Sequence, residues 1–391
     1  MTPRPTLGQI LRPFLAASAA GDRRLAPHQW KTLRALAVCR TAALGGQAFY
    51  CPHCRREHVV AHSCRNRHCP HCQGAAAVTW LEQQAATLLP VPYFHLVFTL
   101  PHALNGLIRQ NRAALFKLLF DAASQTLLAF GRERLAAQLG ITAVLHTWSQ
   151  TLGDHYHLHA IVTGGGVAHD QSRWVTTAPH YLFAVRALSR KFRGKYLAGL
   201  HALYAAGKLA FHGDRQAAAA PAEFAALRRL AARTEWVVYA KRPFAGPEQV
   251  LAYLSRYTHR VALSPRRLLA TDGTSVTFAY KDYADGSRQK QMTLNTAEFV
   301  RRFCLHVLPE RFVKIRHYGL LGNRQKQARL ARARELLAAT PPLPPEPQPL
   351  PELLRTPVTD QAPACCPFCQ RPGLVKVREV LPRPGGRLDS S

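Results

Sequence analysis

The sequence predicts an α+β fold: a central antiparallel sheet flanked by helices, with a small N-terminal domain organised by metal. Three observations lead there. Strand-like and helix-like stretches alternate, and at least two strand pairs are joined by turns too short for a crossover helix, which disfavours a doubly wound parallel sheet. Apolar periodicity fades between residues 46 and 74, where cysteine and histidine replace it. Proline dominates the end of the chain: 13 of 28 prolines fall from Pro341 onward, which reads as an extended tail.

Residues 1 to about 45 read as helical; Pro27 opens a segment with Trp30, Leu33, Leu36 and Ala37 at helical spacing. Val78 to Leu89 is a helix ended by Pro90 and Pro92, and Tyr93 to Leu100 a strand of bulky residues. Asn111 to Leu139 is a long amphipathic helix. Ile141 to Gln150 and His155 to Thr163 form a hairpin, with Gly164-Gly165-Gly166 ending its second strand. A basic helix over 179–206 and a strand over Trp236 to Ala240 follow, then a helix from Pro247 to Thr258. Ser275 to Lys281 and Gln289 to Leu294 make a second hairpin around Asp285-Gly286. A helix at 296–305, a short strand at 312–316 and a basic helix at 324–339 complete the body. The expected domains are therefore 1–78, helical and zinc-binding; 79–340, catalytic; and 341–391, a disordered proline-rich tail.

Lysine and arginine number 52 against 22 acids, a net charge of +30 spread along the chain. So large an excess needs a polyanionic partner, nucleic acid or an anionic membrane. No apolar run reaches the ~18 residues of a span, and the first twenty residues lack a clean signal-peptide core. DNA or RNA is the favoured partner and a cytoplasmic, nucleoid-associated location the expected one.

Cys51-x-x-Cys54 and Cys69-x-x-Cys72 supply four soft ligands in two knuckles, the pattern of structural zinc rather than of disulfides. Cys64, His53, His58, His62, His68 and His71 lie nearby and could replace one of the four or complete a second site. The late pair Cys366 and Cys369 lacks an obvious second pair, so metal there is a weak expectation.

His157 and His159 are two apart on a strand, so they face the same way and can grip one ion. Tyr253 and Tyr257 are four apart on a helix, on one face and about 6 Å apart along the axis. Imidazoles suit Mn2+ or Mg2+ when phosphate and water fill the remaining positions; the ion would withdraw charge from a phosphodiester. A tyrosine could then attack phosphorus and conserve the bond energy for rejoining. Each pair alone is more often structural. Together, after a zinc segment in so basic a chain, they point to metal-assisted cutting and joining of DNA.

His157-Leu158-His159 followed by Gly164-Gly165-Gly166, and then Tyr253-Leu254-Ser255-Arg256-Tyr257, resembles the two-tyrosine HUH transposases of insertion-sequence family ninety-one. The run Cys64-Arg65-Asn66-Arg67-His68-Cys69-Pro70-x-Cys72-Gln73 is similar to that family's N-terminal zinc-binding domain, and Lys314 to Leu321 also looks familial. The resemblance covers residues 25 to about 335. It implies an HUH-endonuclease-like sheet carrying the two histidines, with the tyrosine helix near them. It also implies a rolling-circle transposase that nicks single strands at element ends or hairpins through a 5′-phosphotyrosine. His157 and His159 become ligands of a catalytic Mg2+ or Mn2+, and Tyr253 and Tyr257 the nucleophiles. Gln150 is the expected third ligand, with Asp154 and His155 as competitors. Arg256, Arg260, Lys314 and Arg316 are the expected DNA contacts, and Tyr318 or Trp148 could stack a base. A replication initiator or relaxase would use the same chemistry, although no P-loop is present; a non-catalytic zinc DNA-binding protein is the alternative of another class.

Overall fold

The computed structural model describes residues 4–18, 25–244, 249–250, 261–338 and 365–382. Its centre is an antiparallel sheet of β3 (Tyr93–Thr99), β4 (Ala137–Trp148), β5 (Asp154–Ala168), β7 (Val238–Phe244) and β11 (Ile315–Gly319), in the order β11-β4-β5-β3-β7, with β6 (Trp174–Thr176) pairing β5. Period-two alternation gives its faces different jobs. Phe94, Leu96, Phe98, Leu145, Leu158, Ala160 and Val162 point to one side. There they pack on α5 (Arg112–Leu135) and α6 (Val185–Ala205), the largest core of the molecule. By length and composition α5 is apolar enough to cross a membrane, but Phe116, Leu119, Phe120, Ala123 and Leu127 are buried in this core, which accounts for its apolarity.

The opposite face carries His95, Val144, His146, His157, His159 and Ile161; cross-strand pairs put His159 between Val97 and Val144, and His157 between Thr99 and His146. One end of this face is covered by α3 (Gln73–Ala85) and α9 (Lys326–Ala338), through a cluster of Leu81, Tyr93, Ile161, Leu330 and Leu337 that also includes Val250.

The glycine triplet does not end β5, as the sequence suggested; the strand runs on to Ala168. Glycine serves there as a place of close approach. A Cβ on Gly166 would lie 2.2 Å from the Gln138 carbonyl oxygen, and Gly165 has a φ of +149° that side chains rarely adopt. Gly166→Ala is therefore expected to cost ~1–3 kcal/mol by overpacking, read as a lowered urea midpoint at unchanged slope.

The N-terminal helices pack against elements from the second half of the chain. Helices α1 (Leu7–Ala17), capped by a Thr6–Gln9 box, and α2 (Pro27–Ala37) do not pack with the cysteine loop alone. Leu7, Ile10, Leu33 and Leu36 share a core with Phe278, Phe299, Val300 and Phe303. Those residues belong to a second antiparallel sheet, β8 (Leu268–Thr271), β9 (Ser275–Asp282) and β10 (Arg288–Asn295), and to α8 (Thr296–Cys304). Nor is the tail wholly outside the fold: β12 (Val375–Val380) pairs antiparallel with β1 (Gly46–Cys51), whose other edge holds β2 (Arg56–Ala61).

Candidate functional site

His146, His157 and His159 converge, each offering a ring nitrogen, with these atoms within 4.8 Å of one another. That is close enough for all three to hold one ion. Their ring orientations are fixed from behind. His157 Nδ1 lies 2.9 Å from the His155 carbonyl oxygen, which can only accept, so Nδ1 carries the proton and Nε2 keeps its lone pair. His159 Nδ1 lies 2.9 Å from Nε2 of His95, which fixes the orientation of its ring. Burial, with Lys241 and His157 nearby, pulls the His95 pKa down to about 3, so its ring is neutral at physiological pH. The indole of Trp148 stacks on His146 at 4.5 Å between centroids. An aromatic role for Trp148 was expected, against a base rather than this imidazole.

Gln150 falls in the 149–153 connection beyond the last cross-strand pair, Trp148 with Asp154, and its carbonyl accepts from the Arg267 guanidinium. His146 supplies a third ring nitrogen beside His157 and His159, which the sequence did not announce. The register shifts between His146 and Trp148, a bulge that aims His146 directly across from His157. Of the other competitors, the Asp154 carboxylate pairs with Arg109 and accepts from Tyr156 Oη at 2.8 Å, whereas the His155 ring lies beside that of His157, 4.7 Å between centroids, and its carbonyl holds His157 Nδ1.

Lys314 and Arg316, expected to meet DNA, lie toward the helix-covered side. Arg316 pairs with Ala143 of the core face, and its guanidinium sits 4.3 Å from the centroid of Phe120. Burial beside Arg67 lowers the Lys314 pKa to about 8. Tyr318 pairs with Ile141 and packs against the same core. Tyr239, Lys241 and His95 are instead on the histidine face, Tyr239 across from Val97 and Lys241 across from His95. Tyr253, Arg256, Tyr257 and Arg260 lie outside the described residues.

The cysteines assemble into two groups rather than the expected one. Cys69 and Cys72, at the start of α3, stand with Cys39 and Cys64; Cys51 and Cys54, at the β1–β2 turn, stand with Cys366 and Cys369. A tetrahedron of ~2.3 Å zinc–sulfur bonds has edges of ~3.8 Å. In the first group the Cys39–Cys72 and Cys64–Cys72 sulfurs are 3.7 Å apart and Cys69–Cys39 3.5 Å, so the donor set fits zinc. His68 is spoken for by the backbone: its Nε2 accepts from Leu308 N–H at 3.3 Å, and burial drives its pKa to about 3. Arg67 ties this loop to the body by donating to the carbonyls of Phe312 and Pro309. The sequence reading missed Cys39, which lies 25 residues before Cys64 and outside any Cys-x-x-Cys pattern.

A cysteine-rich N-terminal unit ahead of a histidine-bearing antiparallel sheet, in a strongly basic chain, fits a transposase, and comparison with known families shows that class. Residues 140–329 match the family model described as "Putative transposase", and residues 10–100 match "Transposase zinc-binding domain". The chain belongs to the IS91 family of transposases. It is 46% identical over 349 residues to "Putative transposase y4qJ" of Sinorhizobium fredii, covering 88% of this chain and 87% of that one. It is 28% identical over 352 residues to "Transposase for insertion sequence element IS801" of Pseudomonas savastanoi pv. phaseolicola, covering 88% and 82% respectively. No solved structure matches it significantly.

Proposed function

We propose that this transposase nicks and rejoins single DNA strands through a 5′-phosphotyrosine, in a rolling-circle-like reaction at the ends of its element. The observation that carries the reading is the convergence of His146, His157 and His159 on one sheet face, with Val250 in the cluster packed on that same face. Tyr253 and Tyr257, four apart in sequence, are the nucleophiles of this reading.

The three imidazoles would seat a divalent ion, Mg2+ or Mn2+, which when bound neutralises charge on the scissile phosphate. The chain's own residues do the rest. The His155 carbonyl and His95 hold two of the rings in the ligating orientation. Lys241 and Tyr239, exposed on this face, are suited to a phosphate and to a base respectively. A tyrosine oxygen attacks phosphorus, the P–O3′ bond breaks, and the 3′-oxygen leaves as the hydroxyl after taking a proton. The reverse attack by a 3′-hydroxyl restores the phosphodiester and releases the tyrosine. No external energy is needed, because one phosphoester replaces another.

Labelled single-stranded DNA from the element's ends, incubated with the protein with and without Mn2+, tests this. A metal-dependent covalent adduct through tyrosine is expected. Cleavage by a water nucleophile, with no adduct, would leave a hydrolytic nuclease. Binding without cleavage would leave a zinc-stabilised DNA-binding protein.

Binding itself is expected to rest on phosphate contacts, given the net charge of +30. The dissociation constant should therefore rise steeply with salt, by orders of magnitude between 50 and 200 mM if about six or more phosphates are neutralised. A filter-binding series across that range checks it, and a flat response contradicts it.

A further inference from the structure

We propose that Cys51, Cys54, Cys366 and Cys369 form a second zinc site, and that its ion fastens the C-terminal segment of the chain to the N-terminal hairpin. This rests on geometry alone and is independent of the proposed strand chemistry. The residues lie far apart in sequence, 312 positions between Cys54 and Cys366. The transposase match ends at residue 329, so half of this ligand set falls outside both matched segments.

The sulfurs are placed for a metal. Cys51 and Cys369 are 3.6 Å apart, as are Cys54 and Cys366. Those spacings are close to the ~3.8 Å edge of a zinc–thiolate tetrahedron and far from the ~2.05 Å of a disulfide. Cys51 and Cys366 are buried, and Cys54 and Cys369 are partly exposed.

The two turns are built alike. Arg55 N–H donates to the Cys51 carbonyl at 2.8 Å, and Gln370 N–H to the Cys366 carbonyl at 2.8 Å. Arg55 and Gln370 both take a left-handed backbone, with φ of 57° and 59°. Side chains adopt that conformation reluctantly, and here the same residue position adopts it in each turn. Phe368 N–H points at Cys366 Sγ, 3.4 Å away, an arrangement that favours a thiolate.

The surrounding sheet explains why a metal is needed. β12, β1 and β2 form three antiparallel strands with both cysteine turns beside them, the architecture of a zinc ribbon assembled from opposite ends of the chain. β12 has little apolar burial to hold it. Val375 is 56% exposed and Val377 50%, and the following Leu381 80%. A sheet this small, without a core of its own, needs a staple. Four thiols lose their protons to solvent as four Zn–S bonds form, with no change of oxidation state.

The test is metal counting on the full-length protein by mass spectrometry, with hydrogen exchange of residues 375–380 as a second measurement. Two zinc ions per chain are expected in the unaltered protein. One is expected in Cys366→Ser/Cys369→Ser, and the retained ion is the one on Cys39, Cys64, Cys69 and Cys72. Exchange in 375–380 should rise at least tenfold in that variant while β3 stays protected. A single zinc in the unaltered chain overturns the proposal, and that count needs no variant to fold. Two zinc ions in the double variant, iron in place of zinc, or a Cys51–Cys369 or Cys54–Cys366 disulfide would overturn it as well.

Discussion

Alanine at His146, His157 or His159 is expected to lower metal-dependent nicking by on the order of a thousandfold, while DNA binding changes by no more than a few-fold. The rate effect follows from the several kcal/mol that a phosphate-bound ion contributes, at about 1.4 kcal/mol per tenfold in rate. Binding survives because the net charge of +30 is spread along the whole chain. His95→Ala is expected to act more mildly. His95 holds His159 at Nδ1 across 2.9 Å, and loss of such an orienting partner typically weakens metal affinity ~10–100-fold. Raising Mn2+ should then restore His95→Ala but not His157→Ala. Nicking rates across a Mn2+ series read both effects. Full activity in His146→Ala together with loss in Gln150→Ala would return the third ligand to Gln150 and refute the geometric triad.

The histidine pair was legible because strand alternation is a local rule: residues 157 and 159 must share a face, and Leu158 between them must enter the core. The third histidine was not. A regular hairpin with Trp148 opposite Asp154 would set His146 opposite Tyr156, and the bulge moves it to His157. One residue of slip exchanges the two faces of a strand, and composition does not announce a bulge. Arg316 failed for a related reason. It alternates with His317, and His317 reaches Thr142 on the histidine side at 3.0 Å, so Arg316 faces α5 and stacks on Phe120. Basic residues on a strand reveal charge but not which face is covered. The cysteines show the limit most directly. Spacing singled out two knuckles, and each stands in a four-cysteine group, but sequence proximity paired them with each other. Each found its partners through tertiary structure instead, one at Cys39 and Cys64, where α2 ends, and one across the chain through β12.

Tyr253→Phe/Tyr257→Phe is expected to form no covalent adduct at all, with zinc content, fold and DNA binding unchanged. Phenylalanine keeps the ring and its packing and removes only the oxygen that attacks phosphorus. The loss should reach the detection limit, on the order of a thousandfold or more, because without the nucleophile only a positioned water remains. Each single variant should lose one covalent step. With two tyrosines four apart in sequence, one can hold the cut donor strand while the other attacks a second strand. A single variant would then still nick but not complete strand transfer. Peptide mapping of the adduct distinguishes the alternatives. Tyr318 is a poor candidate, since it faces the core with Ile141. Tyr239 is the serious competitor: it is 52% exposed and lies on the histidine face, across from Val97. An adduct that persists in the double variant and maps to Tyr239 would move the nucleophile from the 253–257 segment to β7. If one single variant is as dead as the double and the other fully active, the enzyme uses one tyrosine, and its second strand must be captured by attack of a free 3′-hydroxyl on that same phosphotyrosine.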